Sequence, residues 1–302
     1  MTESTPTQPS VSEQMQVRLD KRARLLDEGR PPYPVTVPRT HSLADVRAGW
    51  GHLEAGHETD DVVSVVGRVI FLRNTGKLCF ATLADQFGQA STGERLQVML
   101  SLGEVGQDSL DAWKADVDLG DYVSITGRVI SSKRGELSVY AQSWTLASKA
   151  LRPLPTLHNE LSEETRVRQR YADMVVREAA RAMVRTRAAI TRSIRETLHR
   201  EGYLEVETPI LQLIHGGAAA RPFKTHLNAF NQQMTLRIAL ELYLKRAMVG
   251  GTERVYEMGR IFRNEGIDST HSAEFTMLEF YEAWADQTTV ANRLKQIITD
   301  AA

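Results

Sequence analysis

A chain of 302 residues, 42% of them apolar, is long enough to build two domains with a core in each. Its 37 Lys and Arg against 38 Asp and Glu leave a net charge of −1, which excludes a global basic field, so any nucleic-acid contact must rest on local patches. One cysteine excludes an internal disulfide framework and fits a reducing compartment, and no apolar run approaches the roughly 20 residues of a membrane span.

Residues 1–11, rich in Ser, Thr, Pro and Gln, read as a disordered tail and not as a signal peptide. Residues 12–60 read as a helix and a linker. Met15, Leu19, Ala23 and Leu26 fall near helical spacing from Ser12 to Glu28, and Gly29 with Pro31 stops the helix. Its other face carries Arg18, Lys21, Arg22 and Arg24, a solvated face when taken by itself. PPYPVTVP is extended, because proline fixes φ and restricts the residue before it.

Residues 61–150 show five short strands: VVSVVGRVIFLRN, KLCFATLAD, ERLQVMLS, DYVSITGRVISS and ELSVYAQSWTL. A helical insert, about Gly106 to Ala115, separates the third from the fourth. That order describes an OB-fold, with a generic five-stranded barrel as the alternative. OB-folds bind single strands by stacking bases on aromatics within a charged groove. Phe80, on the second strand, is either such an aromatic or a core residue.

Residues 151–302 begin at a hinge, KALRPLP, followed by a helix from Ser162 to about Met174. A long amphipathic helix from Arg177 to Arg200 carries a stripe of Met183, Arg187, Ile190, Ile194 and Leu198, and Gly202 caps it. GYLEVETPIL reads as a strand. A Gly-Gly loop, a strand (Gln233 to Ile238), a helix (Leu240 to Val249), two strands (about Arg254 to Asn264 and Glu274 to Trp284) and a helix with Asp286 as N-cap complete the chain. Alternation puts Val255, Glu257, Gly259, Ile261 and Arg263 on one face of the first of these paired strands. On the second it groups Phe275, Met277, Glu279 and Tyr281. A face mixing aromatic, carboxylate and phenol suits a ligand with a flat ring, an anion and a cation. It equally describes a solvated strand face with charge pairs across it.

Phe262-Arg263-Asn264-Glu265, followed by His271 and Glu274-Phe275, resembles motif 2 of the class II aminoacyl-tRNA synthetases. GGAAARPFKTH (Gly216 to His226), LRIALELYLKR (Leu236 to Arg246) and the hairpin together resemble lysyl-tRNA synthetase. GKLCFATL, KRGELSV and KALRPLP resemble its actinobacterial form. The resemblance implies an α+β fold, an N-terminal OB-fold β-barrel that reads the anticodon and then an incomplete class II catalytic domain on an antiparallel sheet. It implies a cytoplasmic homodimer, with no membrane attachment, that joins lysine to tRNA-Lys using ATP and Mg2+.

By the same resemblance Arg263 bridges the lysine carboxylate and the α-phosphate, and Glu265 accepts from the adenine amine. Phe275 stacks the adenine and His271 meets the terminal phosphates. Gly217 and Glu241 take the α-amine of lysine, and Glu279 and Tyr281 the ε-amine. Arg73, Phe80, Gln97 and Glu136 form the anticodon face. Pro209 belongs to motif 1, at the dimer interface, and the N-terminal helix lies close to bound tRNA. Leu240 departs from the family's proline. The family's metal-binding carboxylates and motif 3 arginine are expected beyond Ala302, so no metal ligand is assigned. Two rivals share these features: a lysyl-phosphatidylglycerol enzyme, whose similar module follows membrane helices, and a non-catalytic tRNA-binding paralogue.

Overall fold

A computed structural model describes residues 12–85, 94–154 and 161–302, so the predicted tail lies outside the described residues. Packing divides the chain into two units, 1–183 and 184–302.

In the first unit, Ser12 caps helix α1 (Glu13–Asp27), its hydroxyl accepting from the Met15 amide. The docked side is not the one that apolar spacing indicates. Leu26 is 49% exposed, whereas Leu25 and Arg18 are buried. Arg18 donates to the carbonyls of Leu119, Ala150 and Arg152 at 2.9–3.2 Å. Lys21 meets Asp118 at 2.7 Å, Arg24 pairs with Asp116, and the Arg22 guanidinium lies 5.8 Å from the Tyr33 ring centroid.

The expectation of a solvated basic face is thus corrected for Arg18 and Lys21, while Arg24 stays 46% exposed beside Asp116. The acidic segment at Asp116, Asp118 and Asp121 supplies nearer partners. Burial opposes ionisation of Asp118, but Lys149 and Lys21 outweigh it and hold its carboxyl below the usual range. Arg18→Ala should release α1. Hydrogen bonds to a charged donor contribute about 1.5–3 kcal/mol, so α1 amides should exchange at least tenfold faster. Unchanged protection in native-state hydrogen exchange would show that α1 is held elsewhere.

A second helix, α2 (Leu43–Trp50), occupies what reads in sequence as linker. Ser42 and Asp45 make a capping box at its start, and Leu43 and Val46, both 0% exposed, enter the core beneath. Strands β1 (Glu58–Thr75), β2 (Leu78–Ala84) and β3 (Arg95–Ser101) follow, then helices α3 (Leu102–Val105) and α4 (Gln107–Asp116), and strands β4 (Tyr122–Ser131) and β5 (Leu137–Ser148). The strands pair in the order β1-β2-β3-β5-β4, and β1 also pairs with β4, which closes the barrel. Only β3 and β5 run parallel among these pairs. Alternation fills the interior: Cys79, Ala81 and Leu83 of β2 and Leu96, Val98 and Leu100 of β3 are all fully buried.

The single helix expected from Ser162 is two, α5 (Glu163–Arg168) and α6 (Arg170–Val176), broken at Gln169 (φ −120°, ψ 54°). Helix α7 (Glu178–Arg200) follows.

In the second unit, the strand expected over GYLEVETPIL is divided between two sheets. Strand β6 (Leu204–Glu205) pairs in parallel with the hairpin, whereas β7 (Leu211–Gln212) pairs with another strand. Pro209 lies between them, and proline lacks the amide that a continuous ladder needs. Strand β8 (Lys224–Leu227), absent from the sequence reading, pairs with β9 (Gln232–Leu236). Helix α8 (Glu241–Val249), strands β10 (Arg254–Phe262) and β11 (Glu274–Glu282) and helix α9 (Gln287–Ala301), capped by Asp286, complete the unit. The sheets run β11-β10-β6 and β7-β9-β8.

Candidate active site and nucleic-acid face

The antiparallel register of β10 and β11 sets Val255 opposite Tyr281, Glu257 opposite Glu279, Gly259 opposite Met277 and Ile261 opposite Phe275. Both predicted faces are therefore one face of the sheet. Two carboxylates directly across a ladder repel, and each is held differently. Glu257 is 3% exposed and its Oε1 accepts from Arg237, also 3% exposed, at 2.6 Å. Its Oε2 accepts from the Thr208 hydroxyl at 2.6 Å. Gly259 makes room for this pair, because a Cβ there would stand 2.3 Å from an Arg237 terminal nitrogen.

Glu279 has no such cation among the described residues. Its Oε1 accepts from the Leu240 amide at 3.0 Å and its Oε2 from the Tyr281 hydroxyl at 3.2 Å. Burial, then the carboxylates of Glu279 and Glu241, push the Tyr281 phenol well above its ordinary value. Gly217 closes the same group. Its φ is +88°, and a Cβ on it would come within 2.9 Å of the Cβ atoms of Ala239 and Glu241. Glu241 also pairs with Lys245 at 2.6 Å on the turn above. Gly217, Glu241, Glu279 and Tyr281 are thus brought together around an excess of negative charge.

At the open end of the hairpin, Arg263, Glu265, His271 and Phe275 line a cavity of about 290 Å³ with Gly266, Thr270 and Ser272. The Arg263 guanidinium lies 5.3 Å from the Phe275 ring centroid and its Nε donates to the Ile238 carbonyl at 3.3 Å. Glu265 accepts from the Arg221 amide at 3.2 Å. His271 is exposed, and its Nδ1 stands 2.9 Å from both carboxylate oxygens of Asp268. The Thr270 amide, then the His271 ring and the Thr270 hydroxyl, hold the Asp268 carboxyl down to about 2. The segment Ile238–Leu240 joins the two clusters, since its carbonyl at 238 holds Arg263 and its amide at 240 holds Glu279.

Sequence reasoning missed Arg237, whose burial depends on a partner twenty residues away. It also missed the Leu240 amide, which a side-chain pattern does not display.

On the barrel, Phe80 projects away from the core, for its neighbours Cys79 and Ala81 are the buried ones. It stands opposite Arg73 on β1 and Met99 on β3. Gln97 donates to the Ser138 hydroxyl at 3.1 Å, and Ser138 to the Glu136 carbonyl at 3.0 Å. Glu136 faces Arg47 of α2 at 3.5 Å, a partner the sequence reading lacked because α2 was read as linker. Pro209 is exposed, as are Leu204, Ile210, Leu211, Leu213 and Ile214 around it.

Residues 162–302 match the model of the class II tRNA synthetases (D, K and N), and residues 63–147 that of the OB-fold nucleic acid binding domain. A lysine–tRNA ligase of Kineococcus radiotolerans is 61% identical over 97% of this chain and 57% of its own length. One from Mycobacterium tuberculosis (strain ATCC 25177 / H37Ra) is 58% identical over 98% of this chain and 58% of its own. The lysylphosphatidylglycerol biosynthesis bifunctional protein of Mycobacterium ulcerans is 45% identical over 98% of this chain and 26% of its own. The chain thus spans a little under three fifths of the ligases it matches. The antiparallel hairpin lies within the segment that matches the first model and the five-stranded barrel within the segment that matches the second, so the chain carries a class II tRNA synthetase region of the D, K and N group behind an OB-fold nucleic acid binding domain.

Proposed function

We propose that the chain activates lysine with ATP and passes it to tRNA-Lys. The observation that carries this reading is Glu279. It lies across the sheet from another carboxylate, two donors orient it, and no cation of the described chain neutralises it. A half-buried carboxylate needs a partner, and the ε-ammonium of lysine supplies one. Gly217 and Glu241 then receive the α-amine.

Carboxylate and ATP are both anions, so a fixed cation must lie between them. Arg263 fills that place, its planar fork suited to bridging a carboxylate and a phosphate oxygen. The Phe275 ring offers a stacking surface for adenine, Glu265 an acceptor for its amine, and His271 a donor for the phosphates. Mg2+ accompanies the triphosphate in the family. Among the described residues no group of three His, Cys, Asp or Glu is placed to hold a metal ion.

The exposed apolar side chains around Pro209, with Ile190 of α7, support a homodimer in which a second copy covers them. Among the described residues no helix is long and apolar enough to cross a membrane. The likeness to the lysylphosphatidylglycerol protein supports a second reading in which the lysyl group goes on to a lipid, and a lysine-labelled phospholipid product would establish it.

The barrel would hold the anticodon, with Phe80 stacking a base. Phe80→Ala should weaken tRNA-Lys binding by about 1–3 kcal/mol. Filter binding of the folded variant checks this, and affinity equal to the parent's would remove Phe80 from the interface.

A further inference from the structure

Strict alternation along β1 sends Phe71 into the barrel. Val63, Val65, Gly67 and Val69 all point inward, and Phe71 is next in that series. The pairing breaks the series. Val69 stands opposite Leu83, yet Phe71 stands opposite Thr82, so Ile70 is an extra residue against β2. Such a bulge re-aims the side chains that follow it. Beyond Ile70 the phase is reversed: Leu72 packs against the core, while Phe71 is 52% exposed and Arg73 is exposed with it.

Phe71 therefore shares the outer face with Phe80. Arg73 pairs directly with Phe80, and Phe71 is two residues from Arg73 on the same strand. The two rings are diagonal neighbours across the ladder, a separation of roughly 7–8 Å between backbones. A phenylalanine turned out of a core it would otherwise enter, beside an exposed arginine and a second aromatic, matches the requirements of single-stranded nucleic acid. Rings take bases, and the cation meets the backbone between them.

We propose that Phe71 is a second base-stacking platform. The barrel face then takes two neighbouring bases of single-stranded RNA, one on Phe80 and one on Phe71, with Arg73 at the linking phosphate. This rests on reading the barrel as the anticodon-binding module, and it adds a residue and a second base to that reading.

The test uses the whole chain and an anticodon stem-loop of tRNA-Lys, with fluorescence anisotropy as readout. Phe71→Ala should weaken binding about 5- to 100-fold. Phe71→Leu, which keeps apolar bulk without a ring, should lose nearly as much, whereas Phe71→Trp should bind at least as well as the parent. Stem-loops carrying one abasic nucleotide at a time should reveal a single position where the parent is weakened and Phe71→Ala is not. That position should differ from the one found for Phe80→Ala. Because Phe71 is exposed, circular dichroism of the variants should match the parent. If Phe80→Ala weakens binding and Phe71→Ala does not, the second platform is refuted while the reading of the barrel stands. If Phe71→Leu binds as the parent does, the contact is apolar and not a stack, which also refutes it. If the parent shows no preference for the stem-loop over a duplex of equal length, the reading of the barrel itself falls.

Discussion

Arg263→Lys is expected to slow lysine-dependent ATP–pyrophosphate exchange by about 10²–10³, the usual loss when a donor to developing charge is displaced. Lysine keeps the charge, so the loss isolates what the guanidinium shape contributes. Arg263 lines the cavity, and among the described residues its guanidinium makes one hydrogen bond, from Nε to the Ile238 carbonyl. The terminal nitrogens remain for two anions at once, an arrangement that a single ammonium on a flexible stem cannot reproduce. The π-face of Phe275 further restrains the planar group. The affinity for lysine alone should change much less than the exchange rate, since the bridge forms fully only when both substrates are present. A rate within a few-fold of the parent would refute the bridging role.

Arg237→Ala is expected to be the most damaging single change in the second unit, costing about 3–5 kcal/mol, because it leaves Glu257 buried without its cation. Arg237 also donates to the carbonyls of Arg260 at 2.8 Å and Thr208 at 3.0 Å. The pair therefore ties strand β10 to the chain entering β7 and to the segment after β9. A double change, Arg237→Met with Glu257→Leu, should recover most of the stability, since an apolar pair of similar volume avoids desolvating two ions. Urea unfolding of the three proteins checks both statements. A loss below about 1 kcal/mol for Arg237→Ala would mean that Glu257 finds a proton or water instead.

The legible parts of the sequence were those written in periodicity. Alternation located β2, β3, β10 and β11, and the helix after β3 distinguished the OB-fold from other small barrels. The chemistry of Arg263, Glu265, His271 and Phe275 was visible because these residues lie close together along the hairpin. Three other features depend on partners distant in sequence. The basic side of α1 looked solvated because its anions lie about a hundred residues away, at Asp116 and Asp118. The helix α2 was hidden because its eight residues are too few for a periodic signal, although Ser42 and Asp45 marked its start. The bulge at Ile70 leaves no trace in composition, so a period-two reading assigns Phe71 to the wrong side. The division of GYLEVETPIL was foreshadowed by Pro209, but nothing local says that the two halves join different sheets.

The upstream helices bear on what counts as a self-sufficient piece of this protein. Leu43 and Val46 of α2 fill part of the interior that the five strands enclose, as Leu25 of α1 does. Arg18 satisfies carbonyls on the segment that leaves the last strand. The barrel thus resembles a vessel whose stopper is threaded on the cord ahead of it. A gene fragment opening at β1 would encode every stave and omit the stopper, leaving apolar lining to meet water. Natural recombination that lifts this module into another protein must therefore carry α1 and α2 along, although neither helix adds a strand to the barrel.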